Sequence, residues 1–233
     1  MKTFEANQQS WEFLVYATLG IVPEEMFNAG NYEEENYNYY RIFKCAKRAY
    51  LDLNRTLIMK NKDDKGNAAF SNEVCKLITN KIIHNKNAYD LWGEEALNEL
   101  IIDYLKEKTN REKCEWEKCF HYGQLQKWIN MTFKYMNVIG LAEEYKNEEL
   151  AIPLDSYIMK ALSKKDVVFP KVNGKSTGPY NDSSSVKWSQ LNKKEYTDIC
   201  DQYKRKELGL EWEHSAWIQQ AEKEKGISFK DAP

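Results

Sequence analysis

Two short segments of the chain carry residue types at spacings that could do chemistry. The first is Gly123-Gln124-Leu125-Gln126-Lys127-Trp128-Ile129-Asn130; the second is Ile152-Pro153-Leu154-Asp155-Ser156-Tyr157. In the first, the pattern predicts that Gly123 stands just before an amphipathic helix and that Lys127 lies on its first turn. Helix N-termini repel cations, so a lysine there is not placed for helix stability. Surrounded by Trp116, Trp128 and Ile129, its amine would be partly desolvated, and desolvation favours the neutral, nucleophilic form. In the second segment, Pro153 precedes Asp155 at a predicted helix start, where peptide N–H groups stabilise a carboxylate. A neutral amine beside a fixed carboxylate is what Schiff-base chemistry at a sugar carbon requires.

The elements that must position these residues read as helices. Over 8–19 the residues Trp11, Leu14, Val15 and Thr18 share a face. Pro23 opens a short helix, and Asn31 caps a long one over 33–59, with Tyr40, Ile42, Phe43, Ala46, Tyr50, Leu51 and Leu53 at three/four spacing. A polar turn is expected at 61–67, then a helix capped by Ser71 with Val74, Leu77, Ile78, Ile82 and Ile83 as its stripe, and another over 87–108. The Lys127 helix has Leu125, Trp128, Ile129, Thr132, Phe133 and Met136 inward. Residues 163–190 hold two prolines, two glycines and a serine triplet and read as a long loop, a kind that is usually functional or disordered. Helices over 193–208 and 211–225 close the pattern.

Composition sets the outer bounds. The 233 residues carry 34 Lys and Arg against 36 Asp and Glu, for a formal charge of −2, so this is not a highly charged disordered chain. Aromatic residues make up 13%, with 7 Trp and 15 Tyr, which a folded core would use. Only 10 Gly and 5 Pro argue against a many-turned β-sandwich or barrel. Neutral charge does not exclude nucleic acid, because a local patch is what binds. Such a patch is offered by 160–187, where six lysines face two aspartates.

Cys45, Cys75, Cys114, Cys119 and Cys200 are odd in number and widely spread, with no export signal read at the N-terminus, which predicts reduced thiols in a cytoplasmic protein. No second pair stands at zinc spacing from Cys114 and Cys119, and no metal or cofactor is expected. His84, His121 and His214 do not pair at metal spacing; only His121 neighbours the first segment. Glu211-Trp212-Glu213-His214 lacks the second histidine of a metalloprotease helix. The serine run 183–185 has no base partner in view, and no Walker or dinucleotide-binding glycine loop is present, which sets aside kinases, NTPases and dehydrogenases.

Over about 120–162, a sixth of the chain, the two segments resemble the helix-hairpin-helix DNA glycosylases, the superfamily of endonuclease III and the oxoguanine glycosylases. Those proteins carry a Gly-x-Gly-x-Lys-x-x-Asn type hairpin followed by a Pro-Val-Asp-Thr-His type segment. Gly123, Lys127 and Asn130 match in residue and spacing, and Ile152 to Tyr157 is similar to the second segment. Leu125 replaces the second glycine and Tyr157 the histidine. The Lys-to-Asp interval is longer than usual, and the cysteine cluster of the endonuclease branch is absent, since only Cys200 lies in that region.

The resemblance implies Lys127 as nucleophile at the sugar C1′, Asp155 as the assisting carboxylate, and duplex DNA with a damaged or modified base as partner. It also implies that backbone N–H groups around Gly123 hold a DNA phosphate. Gln124 and Gln126 beside it, with Lys164, Lys165 and Lys175 of the basic stretch, are the further DNA-binding candidates. An extruded base needs aromatic walls, for which Trp128, Tyr122 and Trp188 are the leading candidates, with Trp116 and Trp212 behind them.

The expected fold is mostly α: one compact multi-helix domain, or two helical lobes with a helix-hairpin-helix-like element near 115–137. The lobes would be 1–110 with the C-terminal helices 190–226, and a catalytic lobe over 111–165, with 163–190 as loop. The expected activity is a base-excising DNA glycosylase, with or without a lyase step. The alternative is a non-catalytic helical module that binds DNA or protein, in which Lys127 is an ordinary helix residue and Asp155 an ordinary cap.

Overall fold

A computed structural model describes residues 8–21, 34–56, 64–84, 121–141, 151–174 and 176–225. Among the described residues the chain is mostly helical, with a single two-stranded sheet. It divides into two units, one comprising 1–55, 59–101 and 131–147, the other 56–58, 102–130 and 148–233.

The first unit holds α1 (Gln8–Leu19), α2 (Glu34–Leu53), α3 (Asp64–His84) and the second half of α4 (Tyr122–Val138). The helix α2 packs on α3, and α1 on α2. Their contact follows from spacing: Ile42, Cys45, Ala46, Ala49 and Leu53 of α2, and Val74, Cys75 and Ile78 of α3, are fully buried. Each buried aliphatic side chain contributes roughly 1.5–3 kcal/mol. Burial pushes the Cys75 thiol up to about 12 and raises that of Cys45 as well, and both are free thiols.

Several local expectations are corrected here. On α1 the inward residues are Val15 and Leu19, one turn apart, whereas Leu14 lies beside them at an exposed angle. The helix α3 starts at Asp64, so the expected turn at 61–67 gives way to helix within its length. Ser71 is therefore no cap but a buried residue two turns inside α3, accepting a hydrogen bond from Lys47 Nζ at 3.0 Å. The helix α2 ends at Leu53 and continues as a 3-10 turn over Asn54–Thr56. At the far end of α4, Gly140 takes φ +73°, with the Leu141 N–H returning to Met136 O at 2.9 Å, the left-handed stop that glycine adopts without a Cβ penalty.

The second unit contains the first half of α4, then α5 (Ser156–Ser163), β1 (Phe169–Pro170), β2 (Thr177–Gly178), a 3-10 turn (Trp188–Gln190), α6 (Lys193–Lys204) and α7 (Leu210–Lys225). One apolar cluster joins Ile158 and Leu162 of α5, Phe169 of β1, Leu191 just after the 3-10 turn, Tyr196 and Ile199 of α6, and Ala216 of α7. Shared burial in that cluster explains why the C-terminal helices fall in this unit, and not with the N-terminal residues as expected. Asn192 and Glu195 form a reciprocal capping box at the start of α6.

The stretch 163–190 is organised as more than a loop. Phe169 is buried and anchors β1, which pairs antiparallel with β2 in the register Phe169 to Gly178. Lys171 Nζ donates to Pro179 O and Ser185 Oγ, and the Asn181 side chain accepts from Ser183 N at 2.9 Å, an Asx turn. The expected helix over 87–108, the short helix at Pro23, the Asn31 cap, Trp116, Cys114, Cys119, Lys175 and the part of the hairpin element before 121 lie outside the described residues.

Candidate functional site

The site is built on the first turns of α4. Gln124 is the third helical residue, and its Oε1 accepts from His121 N at 2.9 Å, one half of a capping box. Its Nε2 donates to Thr56 O at 2.7 Å, so the side chain is buried and committed to holding the helix start.

Gly123 lies within the first turn, not before it, and is buried. Its N–H donates to Leu191 O at 3.0 Å, and an added Cβ would stand 2.0 Å from Trp188 O. Only glycine lets α4 approach the Trp188–Gln190 turn this closely. The N–H group foreseen for a phosphate is thus already bonded, and the glycine serves close packing.

Lys127 follows four residues later, on the same helical face and in the second turn, where the first-turn expectation is corrected by one turn. Its Nζ stands 4.4 Å from the centroid of the Trp188 ring and 3.5 Å from Asp155 Oδ2. The cation is held between an aromatic face and a carboxylate. Its side chain is 8% exposed and that of Asp155 21%. An ion pair this sheltered loses much hydration and persists only when its remaining hydrogen-bonding capacity is met.

For Asp155 that capacity is met. The residue is the N-cap of α5, with Oδ1 accepting from Ile158 N at 2.9 Å. Oδ2 accepts from the indole Nε1 of Trp217 at 3.0 Å. The Trp217 ring lies edge-on to Tyr157, with centroids 5.4 Å apart. Tyr180 belongs to the same neighbourhood: burial, then Asp182 and the charge on Asp155, push its phenol up to about 12.

The other expected site residues divide sharply. Trp128 is fully buried and has no face to offer a base; it is core. Tyr122 and Trp188 are half-buried, and Tyr122 meets Tyr196 edge-on at 5.5 Å. Trp212 is half-buried against the apolar cluster. Asn130 Nδ2 donates to Tyr196 Oη at 2.8 Å, tying α4 to α6. Gln126 is buried, and its Nε2 has no hydrogen-bond partner, so neither glutamine is a surface contact for phosphate.

Lys164 and Lys165 are both exposed, and Lys164 Nζ donates to Gln220 Oε1 at 2.6 Å. Lys160 pairs with Asp182 at 2.7 Å and Glu224 at 2.8 Å, which raises its pKa and lowers that of Glu224. Part of the basic stretch is therefore neutralised within the fold. Among the described residues no cluster of His, Cys, Asp and Glu could hold a metal ion, and no helix is long and apolar enough to cross a membrane.

Sequence reasoning missed Trp217 and Leu191. Trp217 sits 62 residues after Asp155, in a helix that shows no local mark of function. Leu191 contributes a backbone carbonyl, which has no sequence signature at all. No family model, curated protein or solved structure matches the chain.

Proposed function

We propose that the protein is a cytoplasmic DNA glycosylase that excises a damaged or modified base from duplex DNA, with Lys127 as Schiff-base nucleophile and Asp155 as the assisting carboxylate. One observation carries the reading: Lys127 Nζ, nearly buried, stands 3.5 Å from Asp155 Oδ2 and over the face of Trp188. An amine, a carboxylate and an aromatic face gathered at one point are the parts such a reaction uses.

In this mechanism the target nucleotide is rotated out of the duplex and its base stacks on an aromatic ring, with Trp188 as platform. Asp155, the more exposed of the charged pair, is the first that the sugar meets. Its charge stabilises the positive charge that develops on the sugar as the bond from C1′ to the base nitrogen breaks and its electrons leave with the base. Lys127 gives up a proton, which passes to the departing base, and its lone pair bonds to C1′. A proton passes from that nitrogen to O4′ as the C1′–O4′ bond breaks, and the opened sugar is left as a protonated imine. Water then takes a proton from C2′, and the electrons of that bond expel the 3′ phosphate. Exposed lysines such as Lys165 and Lys187 are the candidates for backbone phosphates.

A second reading rests on the same atoms. Asp155 accepts from Ile158 N, Trp217 Nε1 and Lys127 Nζ. A carboxylate so fully engaged also suits a structural pin between helices, in a non-catalytic module that binds DNA or protein.

The deciding assay uses duplex oligonucleotides carrying a panel of modified bases, with borohydride added. The glycosylase reading expects a trapped covalent adduct that Lys127→Ala abolishes. Neither adduct nor abasic product from any substrate would sink it and leave the pin.

A further inference from the structure

The carboxylate of Asp155 has two oxygens with different neighbours. Oδ1 is fixed by its own helix, through the Ile158 N–H. Oδ2, the oxygen that faces Lys127, has a donor from a distant element: the indole N–H of Trp217, at 3.0 Å on α7. Without that donor Oδ2 has only the Lys127 amine, at 3.5 Å on a flexible four-carbon stem, and the carboxylate could still turn about its Cβ–Cγ bond. With it, Oδ2 is also held at 3.0 Å by a rigid indole, and the plane of the group is set. The indole in turn is seated by Tyr157, the second residue after Asp155, whose ring meets it edge-on. The helix carrying Trp217 packs directly on α5.

We infer that Trp217 is a positioning residue for Asp155, aiming Oδ2 at the Lys127 amine and at the sugar carbon. This rests on the glycosylase reading for its catalytic consequence, but the hydrogen bond itself does not. A positioned donor to an ionised acceptor is worth more than one between neutral groups, and misplacement of a reacting group by a fraction of an ångström lowers turnover steeply.

Trp217→Phe tests it, since phenylalanine keeps an aromatic edge for Tyr157 and removes only the N–H. Under single-turnover conditions on a cleavable duplex, base release is expected to slow about tenfold at saturating protein, with the half-saturating concentration unchanged, the magnitude following from one hydrogen bond to a charged group. A variant that melts lower yet releases base at the wild-type rate would overturn the inference, leaving Trp217 as packing alone.

A second measurement needs neither catalysis nor a Trp217 variant. In 15N-labelled protein the indole N–H resonance of Trp217 is expected to move on Asp155→Asn, because the acceptor loses its charge. An unmoved resonance means the bond is absent, and the inference falls. If wild type shows no activity on any substrate but the resonance moves, the function reading fails while the positioning of Asp155 stands.

Discussion

The two halves of α4 each present a side chain to an aspartate, and the two arrangements differ in a way that separates support from chemistry. In the second half, Tyr135 Oη donates to Asp52 Oδ2 at 2.7 Å, and Arg48, one turn before Asp52 on α2, stands 3.5 Å from Oδ1. Burial, then the bond to Asp52, raises the Tyr135 phenol above its ordinary range. All the donors there are either neutral or partly exposed, and the arginine is a neighbour on the same helix. In the first half, a lysine amine takes the phenol's place, sheltered by an indole, and the carboxylate draws donors from α4, α5 and α7. Asp52 sits in an arrangement that a helical core can afford to vary. Asp155 is held by three elements that must all be in place.

Substitutions can break that comparison in a graded order. The largest loss is expected at Gly123→Ala, where the new Cβ meets a backbone carbonyl that no rotamer can move; a cost of about 3 kcal/mol or more, read by denaturant unfolding, is expected. Asp155→Ala removes a cap and strands a nearly buried cation, which should cost about 3 kcal/mol, the lower end for a broken buried pair because Asp155 is itself partly exposed. Asp52→Ala, measured in the same way, should cost about 1 kcal/mol, because its charged neighbour is partly exposed. Equal losses at the two aspartates would erase the distinction between the halves. Tyr135→Phe sharpens it further: about 1 kcal/mol is expected from one hydrogen bond, with no effect on base release. The smallest effect is a gain. Glu207 occupies φ +56° just after α6, so Glu207→Gly should raise stability by about 1 kcal/mol, seen as a higher melting temperature.

What could be read beforehand follows from how local each cause is. The helical stripe of α2, apart from Leu51, which is exposed, and the Asp155 cap depend on residues within a turn of one another, and their periodicity survives in the linear order. The approach of Lys127 to Asp155 is legible too, through two segments in the right order. Its correct atoms lay beyond local reasoning: the same lysine is placed by a glycine packed on Trp188, and the carboxylate by an indole from the last described helix. Trp128 and Trp188 look alike in sequence, yet one is core and the other covers an amine. Which side of a helix meets which neighbour is a property of the assembled fold. Leu14 and Ser71 differ from their sequence expectation for a related reason. One apolar residue off the stripe and one serine mid-helix are ordinary locally, and only packing decides them.

The close approach at Gly123 also bears on how this sequence can drift. Every other encoded residue carries a Cβ, so a saturation library scored for folded protein should return glycine alone at position 123. Position 127 should be more permissive in that screen than in one scored for activity. A residue that touches no substrate would then be the less replaceable of the two, and the pair of screens would tell architectural constraint from chemical constraint at positions four apart on one helix.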